Sequence, residues 1–110
     1  MTELRYPMEP VMNLSDSVYY RHYRITAHAI DRYIERIGGD IGDLISDLDS
    51  CWIFDVDRKG MKRKLCAAVA RCERKGGYAL CNDRVIFLIR PGWHHHAILT
   101  TLAMNYGVER

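Results

Sequence analysis

Close cysteine pairs, long apolar runs and nucleotide-binding glycine loops are all missing from this 110-residue chain, and each absence narrows its chemistry. Cys51, Cys66, Cys72 and Cys81 stand fifteen, six and nine positions apart, whereas zinc knuckles bring their ligands in close Cys-x-x-Cys pairs. Buried, reduced thiols are the expectation, and neither a metal nor any other cofactor is expected. The strongly apolar run Val85 to Ile89 is five residues long, far short of the roughly 18 that a membrane span requires. Glu3, Arg5 and Glu9 occupy the region where a secretory leader would be apolar, so a cytoplasmic chain without membrane association is expected. There is no Gly-x-Gly-x-x-Gly, Walker loop, Gly-x-Ser-x-Gly or His-Glu-x-x-His. Nucleotide hydrolysis, dinucleotide redox chemistry and zincin proteolysis therefore lack support. No internal repeat or low-complexity tract is present, and a net charge of +2 names no partner by itself.

What is present reads as one α+β domain. Residues 1–20, with Pro7 and Pro10, lack a sustained period and read as an N-terminal arm, leaving 21–110 as the folded unit. Thr26 is a good N-cap, and Ala29, Ile30, Tyr33, Ile34 and Ile37 recur at helical spacing before Gly38-Gly39, predicting a helix over about 27–37. Asp40 caps a second, carried by Ile41, Leu44, Ile45 and Leu48 and ending near Ser50. Residues 51–57 favour a strand, and Leu65, Ala68, Val69 and Cys72 mark a third helix over about 61–74. Tyr78–Cys81, Arg84–Arg90 and Ala97–Ala103, separated by Asn82-Asp83 and Pro91-Gly92, predict an antiparallel three-strand meander. Val85 to Ile89 is apolar on both faces, so its strand should be central and covered on both sides, by helices or by a second copy in a homodimer. The N-terminal helices are expected to pack on one face of this small C-terminal sheet.

The most suggestive constellation lies on the first helix. His28, Arg32 and Arg36 are spaced i, i+4, i+8 and share one stripe, where an imidazole and two guanidiniums can surround one anion. An imidazole exchanges a proton near neutral pH, and a guanidinium presents a fixed fork to phosphate oxygens, a set suited to binding or cleaving a phosphodiester. The same residues also read as the solvated face of an ordinary amphipathic helix.

The string His28-Ala29-Ile30-Asp31-Arg32-Tyr33-Ile34-Glu35-Arg36 resembles the His-Ala-x-x-Arg-x-x-x-Arg helix of small proteins from toxin–antitoxin and phage gene sets, and Ala97–Leu102 resembles their terminal strand. Those proteins are similar to the RelE/barnase-like ribonucleases. The resemblance implies a helix-plus-antiparallel-sheet fold, an RNA substrate that is free or ribosome-associated, and metal-independent attack of a 2′-hydroxyl on the adjacent phosphate. It also implies an antitoxin-like partner. In that chemistry His28 is the acid or base, Arg32 and Arg36 clamp the phosphate, and Thr100 or Thr101 supplies a hydroxyl. A second proton carrier is needed, and His94 and His96 are the candidates, with His95 on the opposite strand face. The triplet has other readings too, as a metal ligand set or as an exposed hairpin with Trp93 packed as a lid over the core.

Charge is segregated along the chain. Residues 31–57 carry eight acids, whereas 58–75 carry eight bases, Arg58, Lys59, Lys62, Arg63, Lys64, Arg71, Arg74 and Lys75, against Glu73 alone. A basic surface of this kind suits nucleic-acid phosphates, with Tyr78 or Trp93 available for stacking, unless the two blocks pair with each other. Tyr19, Tyr20 and Tyr23 alternate with Arg21, His22 and Arg24 in a second patch. That patch equally suits a non-enzymatic interaction protein, such as a phage or mobile-element inhibitor of a host protein. A small RNA-directed protein, an endoribonuclease in its fullest form, is the first expectation.

Overall fold

A computed structural model of the chain describes residues 17–54 and 63–104. The Thr26 hydroxyl accepts from the Ala29 N–H at 3.1 Å and so caps helix α1 (Ala27–Arg36). The chain leaves that helix through Gly38, at φ +98°, a backbone state that costs glycine nothing. Asp40 and Asp43 then accept from each other's backbone N–H at 3.0 Å, a reciprocal cap that starts helix α2 (Ile41–Asp49).

The strand expected over 51–57 is β3 (Trp52–Ile53), and Asp55, Val56 and Asp57 lie outside the described residues. Helix α3 (Arg63–Arg74) follows, with the expected Met61 and Lys62 likewise outside. Strands β4 (Tyr78–Cys81), β5 (Val85–Arg90) and β6 (His96–Ala103) form the antiparallel meander. The register shifts between Leu88 and Ile89, which face Thr100 and Ile98, so Leu99 is an extra residue in β6.

The sheet is larger than the meander. Val18–Tyr20 and Tyr23–Ile25 form a hairpin, β1 and β2, across a two-residue turn in which Arg21 takes a φ of 55°. Strand β2 adds to β6 in parallel, pairing Tyr23 with His96 and Ile25 with Ile98, and the six strands run β1-β2-β6-β5-β4-β3. Residues 18–20 of the expected arm are thus strand, and residues 1–16 lie outside the described part.

Strand β5 is interior to the sheet and its apolar run is covered on both faces, by elements of the same chain. Val85, Phe87 and Ile89 pack with Ala29, Tyr33, Leu44 and Leu48 of α1 and α2. Ile86 and Leu88 pack with Leu65, Ala68, Val69 and Cys72 of α3 on the other side. Complete burial of such side chains contributes roughly 1.5–3 kcal/mol each, so the two half-cores fix the strand register from both sides. The N-terminal helices α1 and α2 share one face as expected, and α3 takes the opposite one, so helices of this chain cover β5 on both sides.

A polar network closes the end of the first half-core. The Tyr33 hydroxyl donates to Asp47, which also accepts from Asn82 Nδ2 at 3.0 Å and pairs with Arg84 Nε at 3.3 Å. Burial and the Asp47 carboxylate push the Tyr33 hydroxyl up to about 12, so it remains a donor.

Candidate functional site

Three basic side chains converge where α3 ends against the sheet. Gly77 permits the approach: a Cβ there would lie 2.5 Å from Cys72 Sγ and 2.6 Å from the Ile89 carbonyl. Beside it runs a groove of about 220 Å³, with Arg71 and Lys75 from the end of α3 on one wall and Arg90 and Thr100 from the sheet on the other. Ala68, Cys72, Leu88 and Leu99 complete its lining. The ion pairs among the described residues are Arg21–Asp49, Arg32–Glu35 and Arg84–Asp47, so none of the three groove cations has an acidic partner there. Pairing between the acidic and basic blocks therefore does not involve this helix among the described residues. Arg63, Lys64 and Arg74 are exposed on the same helix, while Arg58, Lys59 and Lys62 lie outside the described residues. Burial pushes the Cys72 thiol up, and its Sγ lies 3.7 Å from the Tyr78 and Ile89 carbonyls, so it lines the groove as a protonated thiol. None of the four cysteines is in a disulfide.

The residues expected to work together from α1 occupy different environments. His28 is exposed, and its side chain makes no hydrogen bond, ion pair or ring contact among the described residues. Arg32 pairs with Glu35 at 2.6 Å, and Arg36 donates to the Thr101 carbonyl at 2.9 Å, on the stretch of β6 beyond its pairing with β2. The Thr101 hydroxyl donates to the Ala29 carbonyl at 2.9 Å and is buried beneath α1. Thr100, its neighbour along the strand, points to the other face, into the basic groove.

The histidine triplet spans the end of the sheet. His94 lies in the turn against Trp93, and Trp93 is 92% exposed, so it does not form the expected lid over the core. His95 meets the Tyr19 ring edge-on at 4.8 Å between centroids. His96, the first residue of β6, shares a 2.7 Å hydrogen bond from its Nδ1 with the Tyr78 hydroxyl. Its ring also meets that of His22 at 5.2 Å, nearly perpendicular. Burial pushes the Tyr78 hydroxyl up to about 12 and raises Tyr23 as well, and the two phenols interact. His22 itself lies against the Tyr23 ring at 4.0 Å. The sequence reading placed His22 only in a surface patch. Its juxtaposition with His96 comes from the parallel β2–β6 pairing, which local pattern does not announce.

The patch containing His22 is partly engaged within the molecule. Tyr20 donates to Asp49 at 2.7 Å, and Arg24 donates to the Ser17 hydroxyl at 3.1 Å. Among the described residues no three His, Cys, Asp or Glu side chains are grouped to hold a metal ion, and no helix is long and apolar enough to cross a membrane. No known protein family, curated protein or solved structure matches this chain.

Proposed function

We propose that the protein binds the phosphodiester backbone of single-stranded RNA along the groove between α3 and the end of the sheet. The observation that carries this reading is the convergence of Arg71, Lys75 and Arg90 on one groove, with no acid paired to them among the described residues. Guanidinium forks and an ammonium satisfy phosphate oxygens, and the Thr100 hydroxyl adds a neutral donor on the same wall. Trp93 and Tyr19 stand exposed near the same end, where unpaired bases can stack on them.

Fluorescence anisotropy with labelled single-stranded RNA tests the reading, with Arg71→Ala, Arg90→Ala and the double variant measured alongside. Each single change should weaken binding several-fold and the double change by more. RNA binding that survives the double substitution unchanged would reject the groove. No RNA binding by the unaltered protein would reject the function and favour the protein-interaction reading.

A further inference from the structure

We propose that the groove seats one unpaired nucleobase on an apolar floor, between strand phosphates held by its cations, and that Leu99 is the residue that grips the base. The inference rests on the RNA-binding reading above and adds a base subsite to it. Each wall combines apolar and charged groups. Ala68, Arg71, Cys72 and Lys75 line the groove from α3 at i, i+3, i+4 and i+7, a single stripe of the helix. Ala68 and Cys72, one turn apart, are buried at its base, whereas Arg71 and Lys75, also one turn apart, are exposed. Strand β5 repeats the arrangement two residues apart, with Leu88 buried and Arg90 exposed on the same face.

Strand β6 supplies the unusual part. Consecutive residues of a strand normally point to opposite faces, yet Leu99 and Thr100 both line the groove. The register shift accounts for this: Ile98 lies in the half-core under α1 and Thr101 bonds the Ala29 carbonyl beneath α1, so the two residues between them share the α3 face. A bulge of this kind takes a residue out of the ladder and re-aims a side chain. Here it adds a half-buried leucine to the floor made by Ala68, Cys72 and Leu88. Phosphate alone does not use such a floor. Its oxygens need the guanidinium forks, the ammonium and the Thr100 hydroxyl, and they would leave the apolar side chains facing water. An unpaired nucleobase has an apolar face for the floor and phosphates on either side for the cations, so one stretch of single strand matches both halves of the lining. A duplex keeps its base faces stacked inside and offers the groove only phosphate. Because the contact is with the face of a base and not its edge, little sequence preference is expected.

The test uses the full chain and anisotropy, and compares a single-stranded RNA with a strand of the same length and charge whose central nucleotides are abasic. The abasic strand should bind about tenfold more weakly. Leu99→Ala should weaken the base-bearing strand about fivefold and the abasic strand by less than about twofold. Leu99→Met keeps the apolar surface and should bind the base-bearing strand within about twofold of the parent. Abasic binding that survives Leu99→Ala shows that the variant keeps its groove, so the loss on the other strand reports the base. Equal loss on both strands overturns the inference, since Leu99 would then only shape the groove. A difference between the strands that is removed by Trp93→Ala but not by Leu99→Ala also overturns it, placing the base on the turn. Equal binding of the two strands by the unaltered protein overturns the base subsite and leaves the RNA-binding reading standing, whereas absence of binding to either overturns both.

Discussion

The salt dependence of RNA binding gives the groove a number. Neutralising Z phosphates of a single strand releases condensed counterions, and log K then falls with log salt at a slope of about −0.7Z. Arg71, Lys75 and Arg90 make Z three, a slope of about −2, and engagement of Arg63, Lys64 and Arg74 on the exposed face of α3 would steepen it to about −4. Between about 50 and 200 mM salt, affinity should therefore fall roughly 20-fold for the groove alone and roughly 300-fold for the whole helix face. The Arg71→Ala/Arg90→Ala double variant should flatten the slope by about 1.4. Arg74→Ala separates the two cases, since it changes the slope only if the strand extends beyond the groove. Both groove arginines are exposed, so removing them should leave stability within about 0.5 kcal/mol and the comparison clean. Anisotropy titrations at four or more salt concentrations give the slopes. A slope identical in the double variant and the parent would show that these cations do not meet phosphate, and a slope near zero in the parent would remove the electrostatic basis of the proposal.

Three further outcomes follow from the packing. Tyr33 and Tyr78 rise from 10.0 to about 12 and Cys51 from 9.0 to about 12, so the fold favours their neutral forms; stability is full below pH 9, declines as pH rises toward 12, and urea melts across that window should show it, with a flat midpoint refuting the linkage. Asp47→Ala leaves the Tyr33 hydroxyl without its buried acceptor, while Asn82 Nδ2 keeps the Ser50 hydroxyl, and should cost about 1–3 kcal/mol, read as a loss in urea-unfolding free energy; a change below about 0.5 kcal/mol would refute the network's role. Gly77→Ala drives a methyl toward the Ile89 carbonyl and should cost about 1–3 kcal/mol by the same measurement, whereas a neutral result would mean that α3 can shift away from the sheet freely.

Local signals made most of the elements legible and few of their relations. The caps at Thr26 and Asp40, the Gly38 exit and the apolar run of β5 act within a few residues, so α1, α2 and the meander follow from the sequence directly. The hairpin β1–β2 escaped because two three-residue strands show no usable period, and because Arg21 turns the chain in a conformation usually left to glycine or asparagine. The side of the sheet that α3 covers is a tertiary choice: Leu65, Ala68, Val69 and Cys72 define an apolar stripe without naming the strand face that receives it. The basic wall at Arg71 was visible as a charge block, but Arg90 joins it only through the fold.

One extra residue decides how the site is divided. Strict alternation along β6 would place Ile98, Thr100 and Leu102 on a common face, and any hydroxyl chemistry with them. With Leu99 inserted, Ile98 and Thr101 face α1 while Thr100 and Leu102 face α3. Thr101 is thereby spent on the Ala29 carbonyl, holding α1 to the sheet, and Thr100 is released into the groove beside Arg90. The same insertion leaves residues 96–98 in register with β2, which sets His96 against the turn that carries His22. The basic groove and the His22–His96 contact therefore occupy opposite faces of one sheet end, joined through the register of Arg90 with Ala97.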